Sequence, residues 1–292
     1  MITRMAFALA KRRVLRTQAA KDAVSERTRS DTTHRDWRAD ENQGQLAASF
    51  DTSFIAGKDV LDFGCGEGFL TGPLAELGAR SILGLDASPQ SIERAKVDAA
   101  ALATTPRIDF KVANDTSRID APDQSSDLIC CFDVMEHVSP YAAIIREWHR
   151  VLRPGGRVWI VWTPYRHPYG HHLREWVPLP WGHLILGQRR MLRISERIVD
   201  EPAFRPPLYD FDADGTRRNR FRGRDTFGSY LNNLTTGSFE SLARQAGLRI
   251  RRRRFRPLLA DSSVAVVTRG LVRLPWIRDL FIAQAIYELE RQ

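Results

Sequence analysis

Residues 60–72, VLDFGCGEGFLTG, place an acid and three alternate glycines directly after a short apolar run. Glycine weakens strands and helices, so three of them together indicate a backbone that turns tightly or that a ligand approaches closely. Two further acids, Asp86 and Asp115, also follow apolar runs. Carboxylate oxygens accept hydrogen bonds from hydroxyl, amino and ammonium groups. These residue types at this spacing predict a nucleoside-binding site.

Segments with strand and helix patterns alternate around these residues. The stretches that predict strands are KDVLDFG, SILGLDAS, IDFKVAND, SDLICCFDV and GGRVWIVWTP, and those that predict helices include PQSIERAKVDAAALA and PYAAIIREWHRVL. Helices that alternate with nearly apolar strands indicate a parallel sheet covered on both faces. Ligands of such sheets bind beyond the carboxyl ends of the strands, where the strand order reverses. The glycine loop, Asp86 and Asn114 with Asp115 follow three such strand ends.

The motifs in this part of the chain resemble those of the class I S-adenosylmethionine-dependent methyltransferases. They are VLDFGCGEG, the acid that closes the second strand, Asp115 after the third, FDVMEHV after the fourth and VLRPGGRVWI leading into the fifth. The resemblance covers about residues 58–162 and resumes from about residue 237. It implies an α/β fold with a Rossmann-like, doubly wound, mostly parallel sheet of seven strands, helices on both faces and an antiparallel last strand.

The same resemblance implies S-adenosyl-L-methionine as the cofactor and a role for each motif. The three glycines would let the backbone lie against the nucleoside and methionine portions, and Asp62 would accept from the ammonium group directly or through water. Asp86 would accept from both ribose hydroxyls, Asp115 from the adenine amino group, and the Phe132 carbonyl would contact the methionine end. The predicted cofactor-binding residues are Asp62, Gly64, Cys65, Gly66, Gly68, Asp86, Ala87, Asn114, Asp115, Thr116, Phe132 and Asp133.

Other interpretations of these residues stay open. Asp62 could cap a turn and Asp86 could begin a helix, although a helix cap does not explain why acids recur at successive strand ends. A nicotinamide or flavin enzyme has the fingerprint G-x-G-x-x-G, which would need glycine in place of Phe69. A catalytically silent protein that binds the nucleoside and acts through partners would have the same cofactor site. RNA or protein methylation is a further alternative.

Residues 163–236 form a long insertion between the fifth strand and the next predicted helix. Its first third is rich in proline, tryptophan and histidine, which suits a preorganised acceptor pocket or lid. At least one histidine is expected to face the methyl group as general base, with ordinary packing as the alternative. No metal site is assigned, since Pro168 and Gly170 argue against a regular helix there. The candidate catalytic residues are His167, His171 and His172 of the insertion, together with His137, which follows the fourth predicted strand.

The expected reaction is direct displacement, in which an acceptor atom attacks the methyl group in line with the departing sulfur. Because the methyl sulfonium is already activated, the protein aligns the partners, excludes water and removes a proton. The expected acceptor is a small molecule, or one linked to a sugar or lipid, with oxygen favoured and carbon and nitrogen open. Nucleic acid is disfavoured because the sequence shows no appended RNA-binding module and no repeated aromatic and basic platform.

We predict a single methyltransferase domain over residues 1–292. Its parts are a helical extension (1–57), a cofactor-binding core (58–162), an acceptor-binding or lid insertion (163–236) and a C-terminal part that completes the sheet (237–292). The net charge is +9, but only five of the 44 basic residues are lysines, so the positive charge carries little weight as a sign of acidic partners. A basic run at 249–256 is the expected sixth strand, and another lies at 217–225.

The three cysteines lack metal-like spacing, which predicts reduced, packed thiols and a cytoplasmic enzyme. Residues 1–21 hold six basic residues and no acid. They leave three interpretations open: peripheral contact with an anionic inner membrane, a mitochondrial presequence, or an extension packed over the cofactor pocket. The oligomeric state is not predicted.

Overall fold

The computed structural model describes residues 2–25, 32–100, 106–115, 117–205, 216–228, 231–260, 262–263 and 265–292, without the side chains of 19–25 and 32–39. Thr116, one of the predicted cofactor-binding residues, lies outside the described residues. The chain divides into two compact units. The insertion unit comprises Met1–Ser30 and Tyr165–Leu231, and the sheet unit comprises Asp31–Pro164 and Asn232–Gln292. The predicted insertion boundaries at 163 and 236 lie close to these divisions, while the single-domain organisation stays a prediction.

The described residues of the two units form the following helices, strands and short 3₁₀ turns, in chain order. The helices are α1 (Ile2–Ser25), α2 (Thr32–Ser49), α3 (Thr71–Glu76), α4 (Pro89–Ala100), α5 (Tyr141–Val151), α6 (Gly182–Leu186), α7 (Gln188–Val199), α8 (Thr236–Gln245) and α9 (Ala265–Leu271). The strands are β1 (Asp59–Phe63), β2 (Ser81–Asp86), β3 (Arg107–Val112), β4 (Ser126–Phe132), β5 (Leu152–Trp162), β6 (Leu248–Pro257) and β7 (Ile282–Arg291). Short 3₁₀ turns include Met135–His137 and Arg278–Leu280.

The strands of the sheet unit form one sheet in the order β3-β2-β1-β4-β5-β7-β6. Strands β1 to β5 pair in parallel, and β7 runs antiparallel between β5 and β6. The predicted α/β fold, with a mostly parallel seven-stranded sheet and an antiparallel last strand, is confirmed. Because the strand order reverses between β1 and β4, the crevice at their carboxyl ends is where such a sheet binds ligands.

Alternate residues of the central strands fill two separate apolar cores. In β1, Leu61 belongs to one core and Val60 to the other, and Ile129 and Leu128 of β4 divide in the same way. Since successive side chains point to opposite faces of a strand, burial of both faces leaves these strands apolar throughout. The three cysteines are free thiols and are buried, as their spacing predicted.

The predicted arginine-rich sixth strand is β6, and it forms one edge of the sheet. Three of its six arginines pair with acids. Arg249 and Arg251 both contact Glu290 of β7, and Arg253 contacts Glu240 of α8. Charged side chains on an edge strand also resist pairing with another chain. The run at 249–256 therefore offers less free positive charge to a phosphate than its sequence suggests.

A buried ionic network joins α8 to β6 and β7. Glu240 is 7% exposed and accepts hydrogen bonds from Arg253 Nη1 (3.0 Å), Arg278 Nη2 (2.9 Å) and the Tyr287 hydroxyl (2.9 Å). Arg278 is itself buried. Buried charges are tolerated only while each keeps its partners, so the position of α8 against the last two strands depends on Glu240.

In the insertion unit, α1 packs against α7 around a small apolar core. Ala10 and Val14 of α1 are buried in the same cluster as Met191 of α7. Lys11 forms an ion pair with Glu201 at 2.6 Å. The first residues of the chain and the 163–236 insertion thus fold together, although more than 150 residues separate Lys11 from Glu201 in sequence.

The other side of α1 exposes three large apolar side chains. Ile2 and Met5 are each 65% exposed, and Leu9 is 45% exposed. Membrane contact and the presequence interpretation of residues 1–21 both stay predictions. Among the described helices, none has the length and hydrophobicity that crossing a bilayer would need.

Candidate cofactor-binding site

The glycine loop follows β1 and adopts a conformation that side chains disfavour. Gly64, Gly66 and Gly68 have φ angles of +76°, +55° and +83°, all in the left-handed region. The N–H groups of Gly64 and Cys65 both donate to the Leu85 carbonyl at the end of β2, at 2.7 and 3.0 Å. The loop is therefore held against the carboxyl end of the neighbouring strand.

The three glycines differ in what surrounds them. A Cβ on Gly64 would lie 2.3 Å from a methyl carbon of Val134, so this position admits only glycine. A Cβ on Gly68 would lie 3.3 Å from the Cβ of Ala95 on α4, which indicates close packing of loop and helix. A Cβ on Gly66 would meet no atom closer than 3.7 Å. The backbone at Gly66 is therefore the part of the loop that a ligand can lie against.

Asp86, the last residue of β2, fastens the glycine loop. Its Oδ2 accepts from the Gly66 N–H at 2.9 Å, and its Oδ1 accepts from the Ser88 N–H at 2.8 Å. The second bond makes the turn into α4, which is the structural role that the sequence left open. Each carboxylate oxygen can accept a second hydrogen bond, so Asp86 retains capacity for hydroxyl donors.

Asp62 is a buried carboxyl within β1. It is 2% exposed, and its Oδ2 has no hydrogen-bond partner among the described residues. Burial, assisted by the charge of Asp86, raises the pKa of Asp62 to about 7. A buried acceptor without a donor costs about 1–3 kcal/mol, so a donor from a ligand would stabilise it. Among the described residues none donates a hydrogen bond to Oδ2, so this oxygen does not cap a turn.

We expect the free energy of unfolding of the wild-type protein to fall, relative to that of Asp62→Asn, as the pH rises from about 4 to about 7. The pKa of Asp62 in the folded protein, about 7, lies above its ordinary value of 3.8. The folded protein therefore holds a proton that the unfolded chain releases, and this stabilisation is complete below pH 3.8 and lost as the pH passes through 7. Urea unfolding of both proteins across this range measures it. A constant difference between the two would contradict a buried acid that titrates near neutrality.

The predicted adenine and methionine contacts lie at the same edge of the sheet. Asp115 follows β3 and is exposed, and its Oδ1 accepts from the Ser117 N–H and hydroxyl at 2.7 and 2.6 Å, which lowers its pKa. Asn114 and Ala87 are exposed in the turns after β3 and β2. Phe132 ends β4, and the next residue, Asp133, has a φ of +55°. The structure thus joins Asp62, Asp86 and the glycine loop, while the roles of Asp115 and Phe132 stay predictions.

One residue at this end of the sheet had no signal in the sequence. Asn232 donates through Nδ2 to the carbonyls of Met135 (2.7 Å) and Val138 (2.8 Å), and its N–H donates to the carbonyl of Glu136 (2.9 Å). It therefore pins the 3₁₀ turn that carries His137. The turn follows β4, the strand next to β1, so His137 lies at the end of the sheet that holds the glycine loop.

The remaining candidate histidines lie in the insertion unit. His171 is fully buried, and its Nδ1 accepts from the Leu173 N–H at 2.9 Å. His167 Nδ1 accepts from the Tyr169 N–H at 3.1 Å. Burial lowers the pKa of His171 to about 3 and that of His167 to about 4, and the charge of His183 adds to both shifts. Such neutral, bonded rings favour the packing alternative, and a catalytic role for His167, His171 or His172 stays a prediction.

The sequence of the sheet unit matches known methyltransferases. Residues 61–160 match the family model described as "Methyltransferase domain". A protein of Mycolicibacterium smegmatis named "Probable S-adenosylmethionine-dependent methyltransferase" is 39% identical over 111 residues, which cover 38% of this chain and 40% of that protein. The "Ubiquinone biosynthesis O-methyltransferase" of Neisseria meningitidis serogroup A is 36% identical over 104 residues, which cover 36% and 43%. The matched part of the chain thus spans about two fifths of the length of these curated relatives.

The fold of this chain resembles solved structures over a larger part of its length than its sequence resembles the curated relatives. A structure of SAM-dependent methyltransferases from Methanosarcina mazei matches with a TM-score of 0.50 at 19% sequence identity, and the match covers 84% of this chain and 95% of that one. At this identity the likeness shows the fold alone.

Proposed function

We propose that the chain transfers a methyl group from S-adenosylmethionine to an oxygen of a small-molecule acceptor, on the premise that residues 61–160 form a class I S-adenosylmethionine-dependent methyltransferase domain. The observation that carries the proposal is the cluster at the carboxyl ends of β1 and β2, where the glycine loop, buried Asp62 and Asp86 meet. The relative named for ubiquinone O-methylation supports an oxygen acceptor. An acceptor linked to a lipid or a sugar falls within the same proposal.

The residues of the cluster fit this cofactor. The free oxygen of Asp62 is a ready acceptor for an ammonium group. Asp86 retains lone pairs for two hydroxyls, and the backbone at Gly66 is open to a flat or extended ligand. When bound, the cofactor supplies a methyl group that its sulfonium sulfur has already activated. The protein then has to hold the acceptor in line, exclude water and receive a proton, which we assign to His137.

The proposed partners are the cofactor and the acceptor, and the proposed location is the cytoplasm. Three free, buried cysteines support a reducing compartment. Contact of α1 with an anionic inner-membrane surface is an additional proposal, supported by its basic residues and by the exposed Ile2 and Met5.

Methyl transfer is tested by incubating the purified protein with S-adenosylmethionine that carries a labelled methyl group and with an extract of its host cell. Mass spectrometry of the products then shows where the label has gone. A labelled small molecule is the expected result. Label in RNA or protein alone would contradict the acceptor class. Binding of S-adenosylhomocysteine with no label in any fraction would indicate a catalytically silent protein.

Replacing Asp86 by alanine is expected to weaken the binding of S-adenosylhomocysteine by about 2–4 kcal/mol, since ligand hydroxyls and the Gly66 N–H both lose an acceptor. Isothermal titration calorimetry measures the loss, and melting temperatures report whether the fold survives. Asp120→Ala is the matched control, because Asp120 is exposed and pairs only with Lys111 among the contacts described. NADH is expected not to bind. Unchanged affinity in Asp86→Ala would show that the ribose contact is wrongly assigned.

A further inference from the structure

The insertion unit contains a cavity of about 330 Å³ that the cofactor site does not use. It lies among α7, the turn before Trp176 and the 216–228 segment, and all of its lining residues belong to the insertion unit. This volume is at the lower end of the range typical of small-molecule sites. The cavity therefore has room for a compact ligand.

The floor of the cavity is apolar. Leu173, Trp176, Leu192, Phe221 and Phe227 line it, and each is at most 5% exposed. The rings of Trp176 and Phe221 meet edge to face with their centroids 5.0 Å apart. Aromatic rings held in this way present a fixed apolar surface against which another ring or a branched chain can pack.

The rim of the cavity is cationic. Arg218 and Arg224 are exposed at its mouth, and neither side chain has a hydrogen bond or ion pair among the described residues. Arg220 also lines the cavity and lies over the Trp176 ring at 5.8 Å. None of the described lining residues is acidic. The rim therefore holds positive charge that no described residue pairs with.

Neighbouring arginines of the same segment behave differently. Arg222 pairs with Asp200 at 3.1 Å, and Arg217 donates to the carbonyl of Phe204 at 2.6 Å. The segment thus uses some of its arginines to hold its own fold. Arg218 and Arg224 make no such contact with the part of the chain that the structure describes, and their position at the mouth of an apolar cavity suits an anionic ligand.

We propose that this arginine-rimmed cavity binds an anionic amphipathic small molecule, with an aromatic or branched apolar body on the floor and a carboxylate or phosphate at Arg218 and Arg224. Guanidinium groups bind both anions through charge-assisted, often bidentate hydrogen bonds. The proposal goes beyond the proposed function and does not rest on it, since the cavity lies wholly within the insertion unit. A compact cavity with an apolar floor favours a small molecule over the extended backbone of a nucleic acid.

Calorimetry with four probes tests the proposal on the full chain. The probes are 1-naphthoate, 1-naphthyl phosphate, the neutral 1-naphthamide and inorganic phosphate. At least one naphthyl anion is expected to bind about tenfold or more tightly than the amide and than inorganic phosphate. Comparison of the carboxylate with the phosphate ester identifies the head group. Equal binding of the amide would exclude the cationic rim, and equal binding of inorganic phosphate would exclude the apolar floor.

Two double variants locate the binding site. In the first double variant, which carries both Arg218→Ala and Arg224→Ala, affinity for the naphthyl anion is expected to fall about tenfold or more. The second double variant carries both Arg189→Ala and Arg222→Ala. It removes the same amount of charge from the same unit, but from arginines that are ion-paired. Its affinity for the naphthyl anion is expected to stay within about twofold of the wild-type value. An equal loss of affinity in both double variants would show that only net charge matters, and it would overturn the proposal. Unchanged affinity in the first double variant would also overturn it.

Titration of S-adenosylhomocysteine into the same proteins separates this proposal from the proposed function. Binding of the nucleoside without binding of any naphthyl anion would overturn the cavity proposal and leave methyl transfer standing. Binding of the anion without the nucleoside would leave the cavity as an anion site and overturn the methyltransferase function.

Discussion

Replacing Glu240 by alanine is expected to lower the free energy of unfolding by about 3–5 kcal/mol. Glu240 is the acceptor shared by Arg253, Arg278 and Tyr287, and Arg278 is buried. Without the carboxylate, the Arg278 guanidinium stays in a low-dielectric environment with one partner fewer, and the Tyr287 hydroxyl loses its acceptor. Urea unfolding at constant pH measures the change.

Glu290→Ala provides the matched control for this variant. Glu290 also accepts from two arginines, Arg249 and Arg251, on the same pair of strands, but both of those arginines are at least one third exposed. Exposed ion pairs contribute about 0–1 kcal/mol, because water and salt screen them. A loss in Glu240→Ala no larger than in Glu290→Ala would show that the network does not hold α8 in place.

The sheet could be predicted from sequence because each central strand is buried on both faces. A run such as SDLICCF leaves no polar face for solvent, so it has to lie inside a covered parallel sheet. The basic run at 249–256 was predicted to be the sixth strand, and β6 confirms it. The pairing of its arginines with Glu240 and Glu290 was not foreseen, since it depends on the register between β6 and β7 and on where α8 packs.

The insertion was less predictable because its partner is remote in sequence. The α7 segment, QRRMLRISERIV, buries Met191, Leu192 and Ile198 at helical spacing, but its packing partner is α1 at the other end of the chain. A single sequence carries no signal that brings Val14 to Met191. The histidines of the insertion were interpreted from the chemistry of imidazole. The burial that lowers the pKa of His171 became visible only in the fold.

The cofactor site shows the same division between local and remote information. The glycines, Asp62 and Asp86 follow directly from strand ends and loop chemistry, and they meet as the sequence predicted. Val134, which fills the space that Gly64 leaves, and Asn232, which pins the turn with His137, come from distant parts of the chain. Both matter here because they fix the backbone on which the candidate base sits.

Replacing His137 by alanine is expected to lower turnover by about 10²- to 10⁴-fold and to leave affinity for S-adenosylhomocysteine nearly unchanged, since proton removal acts only in the transition state. Of the four candidate histidines, His137 alone belongs to the sheet unit, in the turn that follows β4 and that Asn232 holds. Steady-state rates with the identified acceptor, together with calorimetry and melting temperatures, measure the effect. His137→Gln, which keeps a polar side chain but cannot take the proton, is expected to be equally slow.

Two other histidine variants decide whether the loss is chemical. His149 also belongs to the sheet unit and lies in the last turn of α5, just before β5 begins. It is therefore at the opposite end of the parallel strands from the glycine loop. His149→Ala is expected to retain turnover. His171→Ala removes a fully buried ring and is expected to lower the melting temperature by creating a cavity. Near-full turnover in His137→Ala, with a large loss in His171→Ala at unchanged stability, would transfer the role of base to the insertion unit. Near-full turnover in all of these variants would leave alignment of the acceptor as the main source of catalysis.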